Sequence, residues 1–216
     1  MTSPATHFSS FLERWKTERP EAAAIEFGGV ARTWAELGDR VQRAAAALRA
    51  AGIGPGDRIA VLDLNHPSCL ELTLACAQIG AANAVVNFRL APPEIVYVVH
   101  DSTARILLVG PEFASGVEQV REKLSDVERV VRVGGEADEY EAWLAANDPD
   151  DRRHDGSPDD CFVQLYTSGT TGFPKGVMLT HRGLLTHAAN VAAETDIGPD
   201  DVFQVAMPLF LSLIHI

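Results

Sequence analysis

The chain has few basic residues and no long apolar run, and each shortage excludes a class of protein. Its 216 residues include 18 Lys and Arg against 30 Asp and Glu, a formal net charge of −12. Nucleic acids and anionic membranes both attract basic surfaces, so neither is expected as a partner. No stretch approaches the roughly 18 apolar residues of a membrane-spanning helix. With 46% hydrophobic residues, the composition is that of a globular protein with a sizeable core.

Cysteines are also scarce. Cys69, Cys76 and Cys161 form no C-x-x-C pair, and no histidine lies at a zinc-ligand offset from them. Cys69 and Cys76 lie in an apolar stretch, which favours small buried side chains over ligands or nucleophiles. Residues 1–8 lack the basic segment and apolar run of a secretory signal peptide. We therefore expect three reduced cysteines and a cytoplasmic location.

The spacing of apolar residues predicts an α/β fold. Residues 8–57 are expected to form a helix, a hairpin turning at Gly28-Gly29, and a helix opened by the capping box of Thr33 and Glu36. Strands are then predicted at Arg58–Leu64, Ala82–Val86, Arg105–Val109 and Glu128–Val133, and helices at Pro67–Ile79, Pro92–His100, Phe113–Leu124 and Asp138–Ala146. Such alternation implies parallel βαβ units in a doubly wound, mostly parallel sheet.

An acidic segment interrupts this alternation at residues 147–160. It contains six aspartates and two prolines, has no apolar periodicity, and is predicted to be a solvated connecting loop. A metal site can be imagined from its acids, but nothing in the sequence fixes their geometry. We therefore expect an N-terminal α/β subdomain over residues 1–160. The start of a second α/β subdomain is expected over residues 161–210, with a strand at Val202–Met207 and a helix at Leu184–Ala193.

The segment with the chemically most specific pattern is residues 161–181. Two apolar strands, Phe162–Tyr166 and Val177–Leu179, flank a loop of small and hydroxylated side chains, and a helix follows from about Arg182. Glycines in such a loop allow positive φ and let the backbone N–H groups surround an anion. The candidate glycines are Gly169, Gly172 and Gly176. The candidate hydroxyl donors are Thr167, Ser168, Thr170 and Thr171, and Lys175 supplies a positive charge.

Three other kinds of loop have patterns related to this one: a plain hairpin loop, a Walker A loop and a nucleophile elbow. A plain hairpin loop is the usual meaning of a Gly- and Thr-rich composition. A Walker A loop would need glycine at position 174 and Ser or Thr at 176, where the chain has Pro174 and Gly176. A nucleophile elbow would need glycine in place of Tyr166. The pattern favours binding of polyphosphate over attack on carbon.

The run Tyr166–Gly176, YTSGTTGFPKG, resembles the phosphate-loop signature of the adenylate-forming (AMP-binding) superfamily. That superfamily includes acyl-CoA synthetases, adenylation domains of peptide synthetases and beetle luciferases. The resemblance covers residues 8–210, since further family-like segments occur in the expected order. These are Thr33–Leu37, Gly54–Val61, Gly80-Ala81, Asn87–Leu90 and Val177–His181.

The resemblance implies a two-step reaction. A carboxylate and ATP give an acyl-adenylate and pyrophosphate, and a thiol, usually that of coenzyme A, then takes the acyl group. Mg²⁺ would accompany ATP, and the residues expected to hold the β- and γ-phosphates are Thr167, Ser168, Gly169, Thr170, Thr171, Gly172 and Lys175. Met178–Leu184 and Asn87–Glu94 are more similar to the acyl-CoA synthetase (long-chain fatty-acid–CoA ligase) branch than to the peptide-synthetase branch. An adenylation domain that loads a carrier protein, or a non-catalytic nucleotide-binding module, are the alternatives. For His181, a role in the site and a purely local role both stay open.

The family pattern breaks near the last residues. Met207–Phe210 resembles a further family motif, which normally continues with histidine and a glycine-rich stretch, whereas this chain continues with Leu211–Ile216. The later family parts, including the Mg-binding glutamate and the catalytic lysine, have no counterpart here. We therefore expect an N-terminal fragment that is inactive by itself and has no complete catalytic set. Residues 211–216 are expected to be a translated sequencing adapter, with a natural short variant as the alternative.

Overall fold

The computed structural model describes residues 7–167, 173–195 and 197–212. The helices are α1 (Phe8–Glu18), α2 (Trp34–Ala50), α3 (Pro67–Ile79), α4 (Pro92–Asp101), α5 (Ala114–Gln119), α6 (Glu139–Ala145), α7 (His181–Thr195) and α8 (Leu209–Ser212). The strands are β1 (Ala23–Phe27), β2 (Val30–Thr33), β3 (Arg58–Leu62), β4 (Ala82–Val85), β5 (Ala104–Val109), β6 (Arg129–Arg132), β7 (Cys161–Thr167) and β8 (Lys175–Thr180). The predicted helix over Phe113–Leu124 is instead the short helix α5 followed by a 3-10 turn at Arg121–Lys123.

The N-terminal elements follow the predicted turn and cap. Gly28 and Gly29 have φ of 59° and 78°, the positive values that a two-residue hairpin of the I′ type requires. The hydroxyl of Thr33 accepts from the Glu36 N–H at 3.2 Å, and the Glu36 carboxylate accepts from the Thr33 N–H at 2.7 Å. This reciprocal cap satisfies two N–H groups that would otherwise lack partners at the start of α2.

A six-stranded sheet in the order β6-β5-β3-β4-β7-β8 forms the centre of the molecule. All neighbouring strands are parallel except β7 and β8, which are antiparallel. Strand β4 is buried throughout and β3 is buried except at Arg58, as expected for strands with layers on both faces. The predicted doubly wound, mostly parallel α/β fold is confirmed.

Helix α3 is apolar on nearly every side, and its position in the fold explains this. All of its residues except Leu70 are buried, because it packs between α2 and the sheet. Its N-terminus begins at Pro67, and Gly80 ends it with φ of 80°. Within the described ranges, no helix has both the length and the hydropathy needed to cross a membrane.

The cysteines of α3 are packing residues, as predicted. Cys69 and Cys76 are buried and, like Cys161, free of disulfides. Burial raises the pKa of the Cys69 thiol to about 12 and raises that of Cys76 as well. Both thiols are therefore protonated at neutral pH and act as small apolar side chains.

The hairpin of β7 and β8 extends the sheet of the preceding residues. Strand β7 pairs in parallel with β4, with Asn83 opposite Val163 and Val85 opposite Leu165. The same sheet therefore contains strands from both sides of the predicted boundary at residue 160. The division into 1–160 and 161–210, and the interpretation of 211–216, stay predictions. Of that tail, residues 213–216 lie outside the described residues.

The predicted strand at Val202–Met207 is wrong. Residues 201–206 form neither helix nor strand, and Val202 is 95% exposed. A strand needs a neighbouring backbone, whereas the carbonyls of Val205 and Met207 accept hydrogen bonds from the side chain of Asn65. The predicted helix at Leu184–Ala193 is confirmed within α7.

The acidic loop at residues 147–160 is exposed over most of its length, as predicted, but it is anchored. The Asp150 carboxylate pairs with Arg49 at 2.6 Å and with Arg152 at 2.7 Å. The Gln78 side chain donates to the backbone carbonyls of Asp150 and Arg152, and the His154 N–H donates to the Gln78 carbonyl. The loop thus crosses the C-terminal ends of α2 and α3 on a fixed path.

A buried carboxylate joins three helices. Glu71 of α3 is completely buried and accepts two hydrogen bonds from Arg40 of α2, at 2.7 and 3.0 Å. The hydroxyl of Tyr140 in α6 donates to the same carboxylate at 2.9 Å, and Glu141 binds the outer side of Arg40. Because the charge of Glu71 is matched by Arg40, its burial is tolerated.

We predict that Arg40→Ala lowers the free energy of unfolding by about 3–5 kcal/mol, because it leaves the Glu71 carboxylate buried without a cation. Urea unfolding followed by circular dichroism measures this. The control is Arg14→Ala, which removes an exposed pair with Glu18, and there we expect a change of at most about 0.5 kcal/mol. Equal losses in the two variants would show that the buried pair contributes nothing beyond a surface contact.

Candidate functional site

The two described residues of the predicted phosphate loop face each other across the hairpin. Thr167 ends β7 and Lys175 begins β8, and the two are directly opposite partners. Both are exposed. The other five predicted phosphate-binding residues, Ser168, Gly169, Thr170, Thr171 and Gly172, lie outside the described residues.

Thr167 and Lys175 lie at the edge of the sheet where ligands of this fold class usually bind. Thr167 lies at the carboxyl end of β7, beside the carboxyl end of the parallel strand β4. Ligands of doubly wound α/β proteins bind outside this edge of the sheet. In the part of the chain that the structure describes, Lys175 forms no salt bridge with an acidic side chain. Its ammonium group is therefore available to an anion.

One part of the sequence-based explanation of Gly176 is wrong. Its φ is not positive, although the loop pattern predicts a positive φ at this position. Gly176 lies opposite Tyr166 in the hairpin, and a Cβ there would overlap Gln164 Nε2 and approach the Tyr166 ring to 3.1 Å. The position requires glycine because two side chains of β7 occupy the space above it.

A chain of hydrogen bonds holds Tyr166 in this position. Arg58 Nε donates to Gln164 Oε1 at 3.0 Å, and Gln164 Nε2 donates to the Tyr166 hydroxyl at 2.9 Å. The hydroxyl in turn donates to Asp101 Oδ2 at 2.7 Å. Burial and the bond to Asp101 raise the pKa of the Tyr166 phenol, so it stays protonated and remains a donor.

His181 has a structural role in packing that reaches beyond its own helix. It is 1% exposed, its ring stacks on His7 with centroids 3.5 Å apart, and its Nδ1 accepts from the Phe8 N–H at 3.3 Å. Burial lowers the pKa of His181 to about 3, so the ring is neutral. Of the two roles left open by the sequence, the structure therefore supports packing, between the first turns of α1 and α7.

Sequence reasoning missed the role of Asn65. Its side chain donates to the carbonyl of Met207 at 2.9 Å and accepts from the N–H of Leu209 at 2.9 Å. It thereby anchors the segment Met207–Phe210 close to the carboxyl end of β3. Asparagine just after a buried strand is a signal for such a contact, because its side chain competes for backbone hydrogen bonds.

A groove of about 540 Å³ lies elsewhere, between β2 and the first half of α2. Charged side chains of Arg32, Glu36, Asp39 and Arg40 line it. None of its lining residues belongs to β7 or β8. The candidate site is therefore assigned to the hairpin from its chemistry and not from the size of a cavity.

The chain matches known proteins over most of its length. A family model described as AMP-binding enzyme matches residues 12–216. Feruloyl-CoA synthase of an Amycolatopsis species is 44% identical over 204 residues, which are 92% of this chain and 39% of that protein. Fatty acid–[acyl-carrier-protein] ligase ScoC of Streptomyces coeruleorubidus is 38% identical over 196 residues, 88% of this chain and 37% of that protein.

The fold matches solved structures as well. The crystal structure of ATP-bound MatB from Rhodopseudomonas palustris superimposes with a TM-score of 0.84 at 27% sequence identity, over 96% of this chain and 41% of that one. The chain thus spans about two fifths of the length of the proteins it matches.

We predict that Gly176→Ala lowers the free energy of unfolding by about 1–3 kcal/mol, because the added methyl group collides with Gln164 and Tyr166. Thermal and urea unfolding measure it. The matched control is Gly116→Ala in α5, where a Cβ meets nothing within 4 Å. That substitution should stabilise the chain by up to about 1 kcal/mol, since alanine is the better helix former. A Gly176→Ala variant as stable as the wild type would disprove the packing explanation.

We also predict that stability falls as the pH decreases below 6.5, partly because of His181. Its pKa is about 3 in the folded chain against 6.5 in the unfolded one, so between these values only the unfolded state binds the proton. His181→Asn should therefore flatten the dependence of the urea midpoint on pH, although it lowers stability at pH 7.

His100→Asn is the control of opposite sign. The hydrogen bond to Asp126, with a second one to the Lys123 carbonyl, raises the pKa of His100. Its contribution to stability is therefore present below pH 6.5 and is lost as the pH rises through its folded pKa. Its removal should steepen the loss of stability only as the pH falls from the raised folded pKa of His100 to 6.5, and should leave the slope below 6.5 unchanged. A profile for His181→Asn parallel to that of the wild type would show that His181 does not titrate in this way.

Proposed function

Because the chain belongs to the AMP-binding enzyme family, we propose that the protein activates a carboxylic acid with ATP and transfers the acyl group to coenzyme A. The observation that carries the proposal is the pairing of Thr167 with Lys175 at the carboxyl edge of the sheet. Because the chain spans 39% of the feruloyl-CoA synthase it matches, the proposal concerns the activity of the whole protein. For the 216 residues by themselves, we propose binding of ATP without formation of acyl-adenylate.

In the first step, a carboxylate oxygen attacks the α-phosphorus of ATP, and the bond to the β-phosphate breaks to release pyrophosphate. Negative charge accumulates on the leaving group. The ammonium group of Lys175 would neutralise part of that charge, and the Thr167 hydroxyl would donate a hydrogen bond to a phosphate oxygen. We propose that backbone N–H groups of residues 168–172 complete this set. The contribution of the hairpin is thus positioning and charge neutralisation.

Mg²⁺ is proposed to enter bound to the phosphates of ATP. In the described residues there is no group of three or more His, Cys, Asp or Glu side chains that could hold a metal ion. Mg²⁺ keeps several waters and binds readily through substrate phosphates, so it does not need a site made only of protein ligands.

The acid is proposed to be either a fatty acid or an aromatic acid. A fatty acid is suggested by the resemblance to the fatty-acyl-CoA ligase branch and by the ScoC relative, which is named as a fatty acid ligase. The 44% identity to a feruloyl-CoA synthase favours a phenolic acid such as ferulate. An acyl carrier protein is the alternative to coenzyme A as the acyl acceptor, because ScoC is named as an acyl-carrier-protein ligase. A cytoplasmic location, expected from the sequence, stays a prediction.

A role in binding alone is the second candidate function. Thr167 and Lys175 can hold a polyphosphate without any residue that takes part in acyl transfer. Exchange of labelled pyrophosphate into ATP separates the two candidates, because exchange that requires a carboxylate occurs only if the adenylate forms. Ferulate and a long-chain fatty acid, each with coenzyme A or a carrier protein, are the substrates to compare.

We predict that Lys175→Ala raises the KM for ATP by about 10- to 100-fold in this exchange reaction, since it removes a charge-assisted hydrogen bond to phosphate. The KM for the carboxylate should stay within about twofold. The KM values are measured with a polypeptide that continues to the length of the relatives, and the 216-residue chain by itself should show no exchange. Lys123→Ala, an exposed lysine outside the hairpin, is the control and should change neither constant. Unchanged ATP kinetics in Lys175→Ala would remove Lys175 from the site.

A further inference from the structure

Helix α4 contacts the hairpin at two points that lie one helical turn apart. Asp101 accepts a hydrogen bond from the hydroxyl of Tyr166, with 2.7 Å between the oxygens. Tyr97 packs on Phe173, with ring centroids 5.0 Å apart and an interplanar angle of 32°. Since residues four positions apart share a helix face, one face of α4 carries both contacts.

These contacts fall at the two ends of the proposed phosphate loop. Tyr166 immediately precedes Thr167, and Phe173 lies two residues before Lys175. The face of α4 defined by Tyr97 and Asp101 therefore reaches both sides of the loop. It does so beside the two described residues that are proposed to hold phosphate.

An aspartate at the end of α4 is not explained by the helix itself. The last turn of a helix carries partial negative charge, which favours Lys, Arg or His and disfavours a carboxylate. Asp101 is the last residue of α4, is exposed, and forms no salt bridge with any residue of the described ranges. Its hydrogen bond to Tyr166 is the interaction that accounts for a carboxylate at this position.

Tyr166 is held on three sides. Asp101 accepts from its hydroxyl, Gln164 donates to the same oxygen, and its ring lies over Gly176 of the opposite strand. The three hydrogen bonds that lead from Arg58 to Asp101 all run in the same direction, from donor to acceptor. Because a cation begins this series and a carboxylate ends it, each bond polarises the next. A fixed Tyr166 fixes the backbone from which the Thr167 side chain starts.

We propose that Tyr97 and Asp101 are positioning residues for ATP. Through Phe173 and Tyr166, they set the distance between the Lys175 ammonium group and the Thr167 hydroxyl. Both groups must reach the same polyphosphate within hydrogen-bond distance, so a small displacement of either loop end weakens binding. This inference rests on the proposed function, because the ligand is the polyphosphate of ATP.

The test is the affinity of the 216-residue chain for MgATP, measured by isothermal titration calorimetry. Asp101→Leu and Tyr166→Phe should each raise Kd by about three- to tenfold, because each removes the same hydrogen bond to a charged acceptor. The double variant should bind about as well as either single variant, since the two residues act through one bond. Asp101→Asn keeps a carbonyl acceptor for the Tyr166 hydroxyl, so its Kd should stay within about twofold of the wild type.

The second contact is tested in the same way. Tyr97→Ala loses the ring that meets Phe173 and should weaken MgATP binding, whereas Tyr97→Phe keeps the ring and should restore it. The control is Asp126→Leu, which removes a carboxylate bound to His100 of the same helix at 2.6 Å. That contact involves neither Tyr166 nor Phe173, so the Kd should not change.

The titrations separate positioning from general stability. The fitted stoichiometry counts the folded molecules, and Kd describes the site in each of them. A purely structural role for Asp101 would lower the stoichiometry at constant Kd, and that result would overturn the inference. If the wild type binds MgATP and the α4 variants bind equally well, the inference fails while the proposed function stands. If the folded wild type does not bind MgATP at all, the ATP binding proposed for the 216 residues fails and the inference fails with it.

Discussion

Strand β7 joins the sheet beside β4, and the position of the candidate site depends on this pairing. The backbone groups on one edge of β7 bond to β4, and those on the other edge bond to β8. Because β4 and β7 run in parallel, their carboxyl ends meet at one edge of the sheet. Thr167 therefore emerges where the connections after β3 and β4 also emerge. The hairpin then returns through β8, which brings Lys175 back to the same edge.

The proposed binding of ATP conflicts with the net charge of the chain, and Lys175 would resolve that conflict locally. Its net charge of −12 opposes the approach of ATP as a whole. Most of its arginines are engaged by acids: Arg40 with Glu71 and Glu141, Arg49 with Asp150, Arg105 with Asp57 and Glu128, and Arg182 with Asp159. Lys175 forms no such pair within the described ranges and stands at the end of a strand. The phosphate groups would thus meet a cation whose charge no neighbouring carboxylate cancels.

Sequence reasoning succeeded where local patterns determine structure and failed where distant residues meet. The positions of α3 and β4 could be predicted from their mostly apolar sequences, and the Thr33 and Glu36 cap from a short motif. The strand predicted at Val202–Met207 failed because an extended apolar pattern does not reveal whether a partner strand is present. The bond between Asp101 and Tyr166 spans 65 positions, and no periodicity connects residues so far apart. The sequence thus predicts a phosphate-binding role for the loop, but it does not show what holds the ends of the loop in place.

Gly176 illustrates how one residue type satisfies two very different requirements. In a phosphate-binding loop, glycine is expected to provide positive φ or a close approach of backbone to ligand. Here the same residue gives the Tyr166 ring room to cross the hairpin and reach Asp101 of α4. A larger residue at 176 would displace the ring, and with it the hydrogen bond that connects the hairpin to α4. The small residue in β8 and the large one in β7 are therefore a single packing unit. Loop ends held in this way are positioned by rigid neighbouring elements and not only by the sequence of the loop itself.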